Sequence, residues 1–128
     1  TPKGAKWAVL GYRPGKGIVP FYKREQLLDI ADYISNNTLC ARLLSPVQAV
    51  LLPRKDHNGR TACVSVANCT IGESGQLQLL VRNPAGEHFM FMSQYNGQGM
   101  LNAEKIGNEY RIELPSLNAW SVGTVFIF

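Results

Sequence analysis

A chain of 128 residues with 45% hydrophobic and 17% charged side chains has apolar material for one ordinary domain, and its composition is not that of a disordered segment. Its net charge of +4 is unevenly placed: Lys3, Lys6, Arg13, Lys16, Lys23 and Arg24 precede the first acidic residue, Glu25, leaving seven basic against nine acidic residues from there to Phe128. A basic lead on a slightly acidic body, without the helix or aromatic-sheet signature of a nucleic-acid module, argues against nucleic-acid binding; no run reaches the eighteen or so apolar residues of a membrane span, and the N-terminus is not a signal peptide.

In chain order, Lys6-Trp7-Ala8-Val9-Leu10-Gly11 is a short apolar run closed by glycine, which predicts a strand buried on both faces. Arg13-Pro14-Gly15-Lys16-Gly17 forces a loop. From about Lys23 to Ile34 the period becomes helical, with Leu27, Ile30, Ala31 and Ile34 on one stripe, and Ser35-Asn36-Asn37 supplies stop residues. A strand, a loop and an amphipathic helix make half of a βα unit, which cannot bury its own faces. Residues 1–44 are therefore expected to be the trailing strand and helix of an α/β domain. The chain opens on Thr1 instead of Met and stops at Phe128 within an apolar run, as expected of a piece of a longer protein.

After Pro46 the pattern is all β. Val47 to Leu52 reads as a strand ending at Pro53, and Asp56-His57-Asn58-Gly59 as a hairpin turn of type I′. Thr61 to Asn68, Gln76 to Arg82, Phe89 to Met92 and Tyr110 to Leu114 alternate, with turns at Asn83-Pro84-Ala85-Gly86 and Asn96-Gly97. In the last strand Trp120, Val122, Thr124, Phe126 and Phe128 share one face, which predicts a core position for Trp120; Trp7 is expected in the core on the same ground. Seven or so short strands at turn spacings of about 8–12 residues predict an antiparallel β-sandwich, Ig-like or related, over residues 45–128.

The chemistry-bearing residues converge poorly. Gly11 to Gly17 resembles a phosphate loop, but it has three residues between the glycines where four are needed and Gly17 where a Ser or Thr must stand. Glu109 and Glu113 would lie about 13 Å apart on a straight strand, with Glu104 unoriented, so no acid pair of a glycosidase is legible. His57 and His88 lack ligand-spaced companions, and Ser65 has no base beside it. Cys40, Cys63 and Cys69 are an odd number, and Cys63 and Cys69, about 20 Å apart along a strand, cannot pair without a sharp bend. No catalytic, cofactor or metal site is expected. Asn36-Asn37-Thr38 and Asn68-Cys69-Thr70 match the glycosylation pattern, which matters only in a eukaryotic secretory context. Tyr12, Tyr22 and Tyr95, placed in or beside loops, are the candidate exposed rings for a glycan or interdomain contact.

Gly4 to Tyr12 resembles the last strand of the glutamine-amidotransferase-like, flavodoxin-type domain of bacterial β-galactosidase-like glycoside hydrolases, and the helix containing Arg24 to Leu28 resembles that domain's closing helix. Leu52-Pro53-Arg54, Asp56 to Gly59, Val64 to Asn68, Leu114 to Leu117 and Ala119 to Val122 are similar to the small C-terminal β-sandwich of such enzymes. The resemblance implies a non-catalytic accessory domain that braces or assembles its parent enzyme, with the parent's other domains as partners. It implies a periplasmic or secreted location if the parent degrades polysaccharide. Two alternatives stand beside it: a carbohydrate-binding module acting on oligosaccharide through exposed aromatics, and a stand-alone secreted interaction domain.

Overall fold

The structure, a computed structural model, describes residues 4–11 and 21–128. They fall into two compact units, residues up to Leu39 and Cys40–Phe128.

In the first unit, α1 (Phe21–Ser35) is closed by Asn36 and Asn37, both in the left-handed region (φ 55° and 58°), with the Asn37 amide donating to the Asp32 carbonyl at 2.8 Å. Tyr22 therefore lies on a helix, not in the expected loop. The expected strand at Lys6–Gly11 is not formed, and Trp7 is 67% exposed instead of buried. An apolar run becomes a strand only where neighbours take up its N–H and C=O groups. Among the described residues no strand pairs with this one. Tyr12 and most of the glycine-flanked loop, residues 12–17, lie outside the described residues.

The second unit is a β-sandwich of two antiparallel sheets. The strands are β1 (Ala41–Leu43), β2 (Ala49–Lys55), β3 (Thr61–Asn68), β4 (Leu77–Arg82), β5 (Phe89–Ser93), β6 (Gly97–Leu101), β7 (Ala103–Ile106), β8 (Glu109–Leu114) and β9 (Val122–Ile127). One sheet has the order β1-β4-β8-β7 and the other β2-β3-β9-β5-β6. Because β1 pairs with β4, the sandwich takes in residues ahead of Ser45. β2 runs through Pro53 instead of ending there, which an edge strand tolerates because one side of it needs no partner. At Asp56–Gly59 only Gly59 is left-handed (φ 77°), and its amide donates to the Asp56 carbonyl at 3.0 Å. That is a type I turn followed by a left-handed glycine, not type I′, and it coincides with the register shift between Arg54 and Lys55.

Between the sheets lie Leu43, Leu77, Leu79, Val81, Tyr110, Ile112 and Leu114 from one side and Val64, Val66, Phe89, Phe91, Val125 and Ile127 from the other. The Phe89 and Tyr110 rings meet across the gap at 5.2 Å between centroids. In β9 the inward residues are Gly123, Val125 and Ile127, so the face shared by Val122, Thr124 and Phe126 points outward, opposite to expectation. Gly123 is small because a Cβ there would stand 2.5 Å from the Phe91 ring and 2.9 Å from Leu117. Gly123→Ala is therefore expected to lower the urea midpoint of unfolding by an overpacking cost of about 1–3 kcal/mol.

Candidate functional site

The two outer faces of the sandwich differ in chemistry. On the four-stranded sheet the outward residues are mostly charged, with Leu80 and Ile106 the apolar exceptions, and the charged ones are engaged: Arg82 with Glu109, Arg111 with Glu104 at 3.9 Å, and Glu113 accepting from Gln76 at 3.1 Å. The three glutamates considered as acid candidates thus each have a separate basic or amide neighbour. Among the described residues no group of three or more His, Cys, Asp or Glu is placed to hold a metal ion. At one end Tyr110 and Lys105 both donate to Glu87 Oε1, at 2.9 and 3.3 Å. These bonds, Tyr110's first, hold the Glu87 carboxyl below its ordinary value. A lowered acid pKa stabilises the fold above the ordinary value of 4.5 and loses that contribution as pH falls through the folded value. Glu87→Gln should accordingly melt below the parent at neutral pH and converge with it in acid.

The outer face of the five-stranded sheet is apolar. Registers across it give one row of Val50, Ala67 and Val122. A second row holds Leu52, Ser65, Thr124, Met92 and Gln98, and a third Arg54, Cys63, Phe126, Met90 and Met100. All three methionines of the chain stand here, in neighbouring positions. Val50, Leu52, Met92, Met100, Val122 and Phe126 are exposed. The hydroxyls in the middle of the patch, Ser65 Oγ and Thr124 Oγ1, share a hydrogen bond of 2.8 Å, so each would keep one partner if the face were covered. Arg54 and Gln98 lie at opposite edges. Apolar side chains thus surround one satisfied hydroxyl pair, and a contiguous exposed apolar patch marks an interaction site. Cys63, in the third row, is half-buried and free, as are Cys40 and Cys69.

A second feature lies at one end of the sandwich. Gly123 stands opposite Ser93, so Trp120, shortly before Gly123, and Tyr95, just after Ser93, leave the sheet at the same end on adjacent strands. Trp120 is 69% exposed and Tyr95 62%, which overturns the expected core position of Trp120 and places Tyr95 where the turn pattern put it. Trp120 is also left-handed at φ 55°, a conformation that costs a bulky residue on the order of 1–3 kcal/mol. What holds it is Asn68, 1% exposed, beneath the loop. Its amide group donates to the carbonyls of Gly72 (2.9 Å), Leu117 (3.1 Å) and Asn118 (2.9 Å), and its backbone N–H donates to Ser121 at 2.9 Å. These bonds fix the chain on both sides of Trp120. They also bury the acceptor nitrogen of the Asn68-Cys69-Thr70 glycosylation pattern. Asn96 Nδ2 donates to the Ser116 carbonyl at 3.1 Å, which ties the Tyr95 turn to the Trp120 loop.

Tyr22, 69% exposed, belongs to the first unit, where it lines a shallow depression on α1 with Gln26, Asp29 and Tyr33. The structure places Tyr95 and Trp120, the latter put in the core by sequence reasoning, at the same end of the sandwich. The one available signal was the turn-forming stretch Ser116-Leu117-Asn118 before Trp120, which interrupts the strand alternation. Comparison with known protein families, curated protein sequences and solved structures finds no match to this chain.

Proposed function

We propose that the chain is a non-catalytic accessory domain that seats the outer face of its five-stranded sheet on a neighbouring domain of a larger protein. The observation that carries this reading is the asymmetry of the two outer faces, one mostly charged and the other mostly apolar across three registered rows, with six large apolar side chains exposed on it. A sheet exposed to water on one side ordinarily alternates polar residues outward. Here β9 spends Val122 and Phe126 on that side, and methionines, which adapt to irregular partners, fill the adjoining strands. The resemblance of the strand and turn motifs to the terminal sandwich of β-galactosidase-like enzymes suggests a glycoside hydrolase as the neighbour, with bracing or assembly as the domain's work.

The test is a Leu52→Glu, Val122→Glu double substitution, read by fluorescence of a hydrophobic dye and by sedimentation velocity. The parent chain alone should bind dye or self-associate through the uncovered face, and the double variant should do neither while keeping its fold. A parent chain that stays monomeric and leaves the dye dark would contradict the reading.

A further inference from the structure

The end of the sandwich that carries Trp120 and Tyr95 has properties that the sheet-face reading does not use. Strain is retained where the surroundings over-determine it, and it gathers at binding and functional positions. Trp120 shows both halves of that pattern: a left-handed backbone and an exposed ring, with the flanking carbonyls of Asn118 and Ser121 held by buried Asn68. Nothing in core packing calls for this arrangement, since the ring lies outside the core. A fixed backbone lowers the ordering cost of using the ring as a contact.

The neighbourhood narrows the ligand. Tyr95 leaves the adjacent strand at the same end, and the Asn96–Ser116 hydrogen bond joins the two loops. Gln94, Asn96, Asn118 and Ser116 lie in the same two loops, the Ser116 hydroxyl buried, and neither loop, residues 94–96 or 115–121, contains a charged residue. That absence disfavours phosphate, carboxylate and nucleic-acid ligands, which are held by cationic donors. Ser116 also lines a groove of about 690 Å³ with Gln76, Asn102, Glu104, Arg111 and Glu113, in which Arg111 faces Glu104 and the Glu113 carboxylate accepts from the Gln76 amide. Flat rings with an apolar face, beside donors and acceptors of no net charge, suit a ligand that alternates C–H faces with hydroxyls.

We infer that this end of the sandwich is a binding site for a neutral oligosaccharide, with Trp120 and Tyr95 as the stacking platform and the flanking amides as hydrogen-bonding partners. The inference is independent of the sheet face, which lies on other residues.

Trp7→Phe leaves Trp120 as the single indole of the chain, so its fluorescence reports the site directly. That protein is titrated with β-1,4-linked hexasaccharides of glucose, xylose and galactose, with calorimetry in parallel. At least one should give a saturable change in emission. Trp120→Ala and Tyr95→Ala, followed by calorimetry, should each weaken that binding by about tenfold or more, the loss of one stacked ring, with an unchanged unfolding midpoint. No saturable response to any of the three sugars would overturn the proposal, as would sugar binding that survives Trp120→Ala. Altered self-association in Trp120→Ala without sugar binding would overturn it in favour of a protein contact.

Discussion

Asn68→Asp should destabilise the sandwich by about 4 kcal/mol or more, the range for burying an unpaired charge. The two side chains have nearly the same shape, so packing is not the cause. The amide nitrogen at this position faces the carbonyls of Gly72, Leu117 and Asn118, and in aspartate an oxygen would face the same three acceptors. The other oxygen would keep its bonds from the Thr70 amide and hydroxyl, at 3.0 and 2.8 Å, so the penalty falls on one atom. Protonation would restore a single donor, so the folded carboxyl of the variant is raised above its unfolded value. Its deficit is then smallest below about pH 4 and grows as pH rises through the unfolded value. Urea unfolding of parent and variant at two pH values measures both the size and the sign. A deficit that does not change with pH would mean that the charge is solvated and that Asn68 is not the clamp described.

Val125→Glu and Val122→Glu make the second large contrast. The residues are of one type and lie close together in β9, yet Val125 is fully buried and Val122 is 49% exposed. A glutamate at 125 enters the space between the sheets with no partner and should unfold the domain, a cost of several kcal/mol. At 122 it enters water and should shift the midpoint by no more than about 0.5–1 kcal/mol. Thermal or urea unfolding separates the two. Comparable losses at both positions would show that the outer face is already covered in the isolated chain.

Much of the sandwich was legible because its polar residues mark the outside. In β8, and in β4 apart from the outward Leu80, the inward residues Leu77, Leu79, Val81, Tyr110, Ile112 and Leu114 alternate with Gln78, Arg111 and Glu113, so parity and side are both readable. In β9 parity was readable and the side was not, because both faces are apolar. The larger residues Val122 and Phe126 point to water, while the inner face needs a glycine to admit the Phe91 ring. β6, with glycines at 97 and 99, and the short β7 have little strand propensity of their own and form by pairing with β5 and β8. Trp7 and Trp120 were misplaced for one reason: apolar neighbours in sequence stood in for neighbours in space. The run around Trp7 has no strand beside it among the described residues, and the chain at Trp120 turns left-handed before β9 begins.

The three methionines give the most direct test of the sheet face as a packing surface, since Met90, Met92 and Met100 all lie on it and the chain has no others. With only the methionine methyl groups labelled with carbon-13, their NMR signals are compared between this chain alone and the same chain within the longer polypeptide proposed as its parent. If the face packs against a neighbouring domain, the signals of Met92 and Met100, exposed in the chain alone, shift and lose their response to a soluble paramagnetic probe in the longer protein. Signals that keep the same positions and the same probe sensitivity in both would contradict the packing role.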